Sequence, residues 1–336
     1  MLLRELAQEL AEPLRITFQK CLNEGYVPPS WKEAHVTPIF KKGKKSIPGN
    51  YRPVSLTSII CKLLESLIRD RVVDHMTNNN LFTDCQHGFI KGRSCSTNLL
   101  NVLDAWTEAI DKGIPIDAVY LDFAKAFDTV PHLRLLNKLD GYGVKGTVHQ
   151  WIRNFLQNRR QCVKVNGVKS EWSLVTSGIP QGSVLGPCLF VIFINDLPEE
   201  VQSMVQMFAD DTKAFTEIHS PLDQRKLQDD INSLYQWSEK WKLHFNASKC
   251  KVLHVGRNNP GYTYKMEQSD GIVDLGTTEL EKDLGVNMDP NLKFSQHIEI
   301  QVNKANEILG MIRRSNEYLD ADNVKKLFVA LVRPHL

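Results

Sequence analysis

Three acidic residues stand where an unpaired charge is costly. Asp122 ends an apolar run, Ile116-Asp117-Ala118-Val119-Tyr120-Leu121, and Asp210 and Asp211 sit between two short apolar runs as Phe208-Ala209-Asp210-Asp211. A strand interior and a tight turn crowd such groups, and an ionised carboxylate removed from water without a partner is unstable. A divalent cation in the gap removes that instability. Carboxylate oxygens are hard donors suited to Mg²⁺, with Mn²⁺ as a substitute. The chemistry expected is two-metal phosphoryl transfer, with ions about 3.5–4 Å apart that hold the attacking and leaving oxygens. Asp122 and Asp210 are the expected ligands, and Asp211 is expected to add negative charge and orient the site.

The segment Ser177-Gly178-Ile179-Pro180-Gln181-Gly182-Ser183-Val184-Leu185-Gly186-Pro187 lies between the two acidic clusters. Gly178 and Gly182 allow close approach of backbone to a ligand. Gln181 offers a donor and an acceptor, suited to a base or sugar edge. Gly182 is expected to open a helix ending near Leu197, whose N-terminus favours phosphate. Two other acids read as structural. Asp128 is expected to cap a helix beginning at Pro131, and Asp229-Asp230 to lie on a solvated helix face.

A chain of 336 residues that is 42% hydrophobic can bury a large core, and its length suggests two or three domains. The net charge of +2 does not mark a nucleic-acid binder by itself. Local basic clusters exist at Lys41, Lys42, Lys44 and Lys45, and at Arg153, Arg159, Arg160 and Lys164; each alone reads as solvated surface. The seven cysteines form no CxxC pair, which favours a reducing compartment and buried thiols. Zinc is not expected at the loose group Cys85, His87 and Cys95. The longest apolar stretch, 184–197, is shorter than the ~20 residues that cross a bilayer. Nucleus and cytoplasm both suit such a chain.

The elements that must position these residues are legible in outline. Leu2, Leu6, Leu10, Leu14, Phe18 and Leu22 keep helical spacing, with a bend expected at Pro13. Further helices are expected at about 59–73, 94–111, 131–140, 146–157, 222–242 and 298–332. Residues 116–121 read as a central strand. Asn166-Gly167 marks a hairpin between 161–165 and 172–176. Residues 204–208 and 212–216 form a second hairpin around Ala209-Asp210-Asp211, and 251–255 a further strand. Hairpins mixed with helices, without a regular βαβ rhythm, indicate an α+β fold.

The order of motifs resembles the reverse transcriptases of non-LTR (LINE-type) retrotransposons, close to the CR1/jockey-like groups. The residues that carry the likeness are Asn50-Tyr51-Arg52-Pro53-Val54-Ser55-Leu56-Thr57-Ser58, Gln86-His87-Gly88-Phe89 with Gly92-Arg93-Ser94, and Tyr120-Leu121-Asp122-Phe123-Ala124-Lys125-Ala126-Phe127-Asp128. They continue through 177–187, 208–211, Lys249-Cys250-Lys251 and Asp283-Leu284-Gly285-Val286. The likeness spans essentially the whole chain.

It implies a right-hand polymerase: fingers at 1–115, palm at 116–255 with a fingers segment interleaved around 131–180, a primer-grip region at 256–295 and a truncated thumb at 296–336. Asp122, Asp210 and Asp211 become the catalytic triad, and the Phe123 carbonyl a further metal ligand. Phe127 matches the steric gate that excludes a ribose 2′-OH. Gln181 and Gly182 flank the incoming nucleotide, Arg52 and Arg93 handle template or triphosphate, and Leu284 and Gly285 grip the primer. Lys249 matches a lysine that protonates pyrophosphate. The implied partners are an RNA template, a DNA primer and dNTPs, with no membrane. Relatives carry an endonuclease domain upstream and continue downstream, and neither is found here, so a truncated copy is expected. Two other readings share these residues: a non-catalytic remnant that binds RNA or a protein, and a DNA-templated or template-independent polymerase.

Overall fold

The leucine spacing at the start produces helices α1 (Leu2–Glu5) and α2 (Ala7–Asn23). The interruption falls at Leu6; Pro13, where a bend is expected, lies inside α2. Strands β1 (Glu33–Phe40) and β2 (Tyr51–Leu56) follow, then α3 (Ile59–Asn78) and α4 (Cys95–Asp111). Both helices begin at serine caps. The Ser58 side chain accepts from Cys61 N–H, and Ser94 and Thr97 form a reciprocal capping box. The computed structural model describes residues 2–268, 271–315 and 320–336. None of its helices is long and apolar enough to cross a membrane.

The chain continues through β3 (Ile116–Leu121), α5 (Ala126–Thr129), α6 (His132–Gly141), α7 (Gly146–Leu156), β4 (Arg159–Val165), β5 (Val168–Lys169) and β6 (Ser173–Val175). Next come α8 (Gly186–Phe193), β7 (Met204–Phe208), β8 (Asp211–Glu217), α9 (Pro221–Trp241) and β9 (Lys251–Val255). Short strands β10 (Lys265–Gln268), β11 (Gly271–Asp274), β12 (Gly276–Thr277), β13 (Glu281–Asp283) and β14 (Val286–Met288) precede α10 (Ser295–Ser315) and α11 (Ala321–Leu327). Of the helical tail expected at 298–332, residues 316–319 lie outside those described.

Two five-stranded sheets organise the molecule. In the first, β1 pairs antiparallel with β2 and parallel with β4, which also pairs with β5 and β6. The Asn166-Gly167 turn forms as expected, with φ +49 and +85, the region a tight hairpin requires. The return strand is split, however: β5 follows the turn at once, and β6 pairs lower on β4. Along β4 the alternation buries Arg159, whose guanidinium bonds the Phe155 carbonyl and lies 4.7 Å from that ring. The expected basic patch is thereby divided between interior and surface.

The second sheet has the order β12-β9-β3-β8-β7. Its central strand β3 is buried on both faces, which explains its near-continuous apolar sequence. Val119 and Leu121 face the larger core with α3, α6, α7, α8 and α9. Ile116 and Ala118 face a smaller core under α4, where Trp106 meets Phe215 edge-on at 5.7 Å. The acid inside the strand, Asp117, is fully buried and accepts from Tyr264 Oη, from Asn259 Nδ2 and from the His254 ring.

Helix α8 starts at Gly186 rather than at Gly182. Glu65 on α3 explains the shift: one carboxylate oxygen accepts from the Ser183 hydroxyl and from the Val184 and Leu185 N–H groups, which fixes 183–185 as a cap ahead of the helix. The aspartates at 229–230 also divide. Asp229 is exposed, but Asp230 is buried and accepts from the Gln202 N–H, the Ser203 N–H and the Ser203 hydroxyl. Replacing Asp230 by Ala leaves two part-buried N–H groups without this acceptor and should cost about 1–3 kcal/mol. Asp229→Ala should stay within about 0.5 kcal/mol of wild type. Urea denaturation of both variants checks the contrast, and equal losses would contradict it.

Candidate active site

Register brings the distant acids together. Leu121 lies opposite Thr212 in the β3–β8 pair, so Asp122, one residue on, faces the start of β8 at Asp211. Phe208 pairs with Asp211, which leaves Ala209 and Asp210 as a two-residue turn at the hairpin tip. Ala209 adopts φ +54, a conformation that a side chain disfavours. Burial raises the affinity of Asp210 for its proton, and the Asp122 charge adds to this. Asp211 keeps solvent access on one side but is hemmed in by protein. Burial, then the charges of Asp210, Asp283 and Asp122, push it up to about 6. The three acids therefore share one electrostatic neighbourhood.

The backbone beneath Asp122 is tied down. Its carbonyl accepts from Asn246 N–H at 2.7 Å, and Ala124 N–H donates to the His244 carbonyl at 2.8 Å. These bonds straddle the Phe123–Phe245 bridge, so the Phe123 N–H and carbonyl point away from Phe245. The two rings stack at 4.5 Å. Positive charge rings the acids. Lys249 Nζ is 3.2 Å from Asp122 Oδ2. Arg52 and Lys41 act electrostatically on Asp210, and Lys42 lines the same cleft as Asp122 and Asp211. Two lysines of the basic loop, Lys41 and Lys42, are thus near the site, whereas Lys45 lies over the Phe40 ring.

Phe127, Asp128, Gln181 and Gly182 form an adjoining group. The Phe127 ring stacks on Phe190 at 4.4 Å, and its carbonyl accepts from Ile179 N–H at 2.7 Å. Asp128 caps no helix: Pro131 occupies the cap position of α6, and the Asp128 carboxylate accepts from Gln181 Nε2 at 2.9 Å. A Cβ at Gly178 would meet the Asp128 carbonyl oxygen at 2.5 Å, and one at Gly182 the Ser55 carbonyl oxygen at 2.6 Å. Both glycines permit chain to pack on chain.

Leu284 and Gly285 form the turn between β13 and β14, with φ +46 and +100, and Leu284 lines the cleft of Asp122 and Asp211. Asp283, just before the turn, forms a buried ion pair with Lys213 of β8 at 2.5 Å. Their pairing is not legible in the sequence, because each reads as an ordinary strand charge until the strands meet. Arg93 is placed differently. Its guanidinium donates to the carbonyls of Thr83, Asp84 and Gln86 and to the Asp84 carboxylate.

Among the described residues, no group of three or more His, Cys, Asp or Glu side chains is gathered as a formed ion site. The donor set nevertheless suits Mg²⁺. It consists of hard oxygens, and burial first, then uncompensated neighbouring carboxylate charge, makes Asp210 and Asp211 hold their protons unusually tightly.

A family model described as reverse transcriptase (RNA-dependent DNA polymerase) matches residues 39–305. The chain belongs to the reverse transcriptase family. It is 30% identical over 309 residues to the RNA-directed DNA polymerase from mobile element jockey of Drosophila melanogaster, a match covering 88% of this chain and 33% of that protein. The Drosophila funebris jockey protein is 29% identical, with 96% and 36% covered. The probable RNA-directed DNA polymerase from transposon BS of Drosophila melanogaster is also 29% identical, with 89% and 34% covered. This member of the reverse transcriptase family therefore spans about a third of the length of those relatives. The jockey-like, non-LTR resemblance holds over most of the chain. A telomerase structure from Candida tropicalis aligns with a TM-score of 0.49 at 11% identity, covering 74% of this chain and 54% of that one; so distant a likeness carries no argument.

The raised carboxylates predict how stability varies with pH. Between the ordinary aspartate value and about 6, the folded protein binds more protons at Asp211 than the unfolded chain does. Stability from this group is present at low pH and is lost as pH rises through 6. Metal-free Asp211→Asn should therefore melt above wild type at pH 7.5, and the gap should close toward pH 4. Added Mg²⁺ should raise the wild-type Tm more at pH 7.5 than at pH 5. Melting curves across this range that coincide for the two proteins would contradict the uncompensated-charge reading.

Proposed function

We propose that this chain is an RNA-directed DNA polymerase of a retrotransposon, adding dNTPs to a primer 3′-OH on an RNA template. One observation carries the reading: in a member of the reverse transcriptase family, the β3–β8 register sets Asp122 across from Asp210 and Asp211. Asp122, Asp210, Asp211 and the Phe123 carbonyl would hold Mg²⁺, with Mn²⁺ as a substitute. Two bound ions supply activation of the hydroxyl and neutralisation of the leaving pyrophosphate. The remaining steps fall to the chain's own groups. Arg52, with Lys41 and Lys42, attracts the triphosphate. Phe127, fixed by its stack on Phe190, blocks a 2′-OH. Gln181, held by Asp128, borders the nucleotide beside Gly182. Lys249 gives a proton to pyrophosphate, and the Leu284–Gly285 turn supports the primer end. Arg93, whose donors are engaged by its own loop, braces that loop.

The same reading divides the chain into fingers at 1–115, palm at 116–255 with an interleaved fingers segment around 131–180, primer grip at 256–295 and thumb at 296–336. The pairing of β4 with β1, and of β6 with β4, supports the interleaving, because strands from within the palm span complete the N-terminal sheet.

Purified protein with Mg²⁺, an RNA template, an annealed DNA primer and dNTPs should extend the primer. Asp210→Asn should lower kcat by on the order of 10²–10³-fold or more, the scale of losing one transition-state charge partner. No extension by folded wild type with Mg²⁺ or Mn²⁺ would sink the assignment, and template binding without turnover would favour a non-catalytic role. DNA templates run alongside test the template class. Phe127→Ala should relax discrimination against ribonucleotides by roughly 10–200-fold, the range open to a steric pocket. Unchanged discrimination would place the gate elsewhere.

A further inference from the structure

The motif Gln86-His87-Gly88-Phe89 is not used by the chemistry above, yet its backbone lies against the catalytic hairpin. Met207 N–H donates to the Cys85 carbonyl and His87 N–H to the Met207 carbonyl, each at 2.8 Å. The motif thus adds a parallel bridge, Gln86 to Met207, on the free edge of β7. Asn98 Nδ2 also reaches the Met207 carbonyl, at 3.1 Å. The Gln86 side chain is fully buried. Its Oε1 accepts from Gly88 N–H at 2.7 Å and from Ala209 N–H at 2.9 Å. Ala209 is the positive-φ residue directly before Asp210.

We propose that Gln86 is a positioning residue for Asp210: its buried amide oxygen clamps the Ala209 N–H and holds the hairpin tip in the conformation that keeps the carboxylate beside Asp122. Three features support this. An alanine at φ +54 lies outside its preferred regions and persists only where its surroundings over-determine it. The clamp is local to the strained residue: without Gln86, the Ala209 N–H would be a buried donor lacking this acceptor. Gly88 closes the other side, since a Cβ there would stand 2.4 Å from the Ala209 nitrogen and 3.0 Å from the Phe208 carbonyl carbon. Arg93 fixes the strap from behind through the Thr83, Asp84 and Gln86 carbonyls. A glutamine at this place acts through Asp210 and touches no substrate.

The role rests on the polymerase reading of the site, but its test does not need turnover. Gln86→Leu keeps the volume and removes the acceptor. Gly88→Ala keeps the acceptor and presses on the turn. Both variants should weaken Mn²⁺ binding to the nucleic-acid-free protein by about 10–100-fold, the usual loss when a partner behind a metal ligand is removed. Electron paramagnetic resonance titration reads this, with Asp210→Asn marking the signal that belongs to the site. In primer extension both should lower kcat and leave the KM for template–primer unchanged. Folded variants with wild-type Mn²⁺ affinity and kcat would overturn the proposal, as would a failure of both variants to fold, which would make the amide purely structural. If wild type binds Mn²⁺ yet extends no primer, the polymerase reading fails while the Mn²⁺ comparison still decides the role of Gln86.

Discussion

The antiparallel pairing of β3 with β8 is the constraint on which the site depends. A slip of one residue would turn the Asp211 side chain to the opposite face from Asp122. The register is pinned because β3 is buried on both faces: Val119 and Leu121 belong to one core, Ile116 and Ala118 to the other. Moving the strand by one residue would turn each set into the other core, which is packed around different side chains. Helices on both sides of the sheet therefore set the geometry of the acidic cleft through hydrophobic packing. The Lys213–Asp283 pair adds a second tie. It joins β8 to the β13–β14 turn inside protein, where breaking it would strand a charge.

Converging carboxylates repel, and the surrounding charges answer this only in part. Lys249, Arg52, Lys41 and Lys42 all lie toward the acids, in a chain whose formal net charge is only +2. Overall charge conceals this local concentration. Asp210 and Asp211 still hold their protons unusually well. Such residual instability in the metal-free protein is what a site built to take up divalent cations would show.

Much of the polar chemistry that flanks the acids is spent on the chain itself. Asp128 holds Gln181, Glu65 caps the approach to α8, and Arg93 braces its own loop. Gly178 and Gly182 let one segment pass against another. A conspicuous residue in a catalytic neighbourhood can therefore serve by shaping backbone, and the site is as much a set of backbone straps as a set of side chains.

The sequence by itself determined the elements whose signal is local. β3 is a nearly continuous apolar run, the Asn166-Gly167 turn needs two positive φ values, and the helical spacing over 94–111 produces α4. It also marked Asp122, Asp210 and Asp211, because carboxylates beside apolar runs conflict with their surroundings. It misplaced the start of α8, the role of Asp128 and the burial of Asp230, since each depends on a partner distant in the chain. Only the tertiary structure decided that Lys213 meets Asp283, that Lys41 and Lys42 lie near the acids and that Gln86 grips Ala209. The physical reason is range. Periodicity and capping act over a few residues, whereas a buried hydrogen bond or ion pair acquires its meaning only when packing brings its two ends together and excludes water.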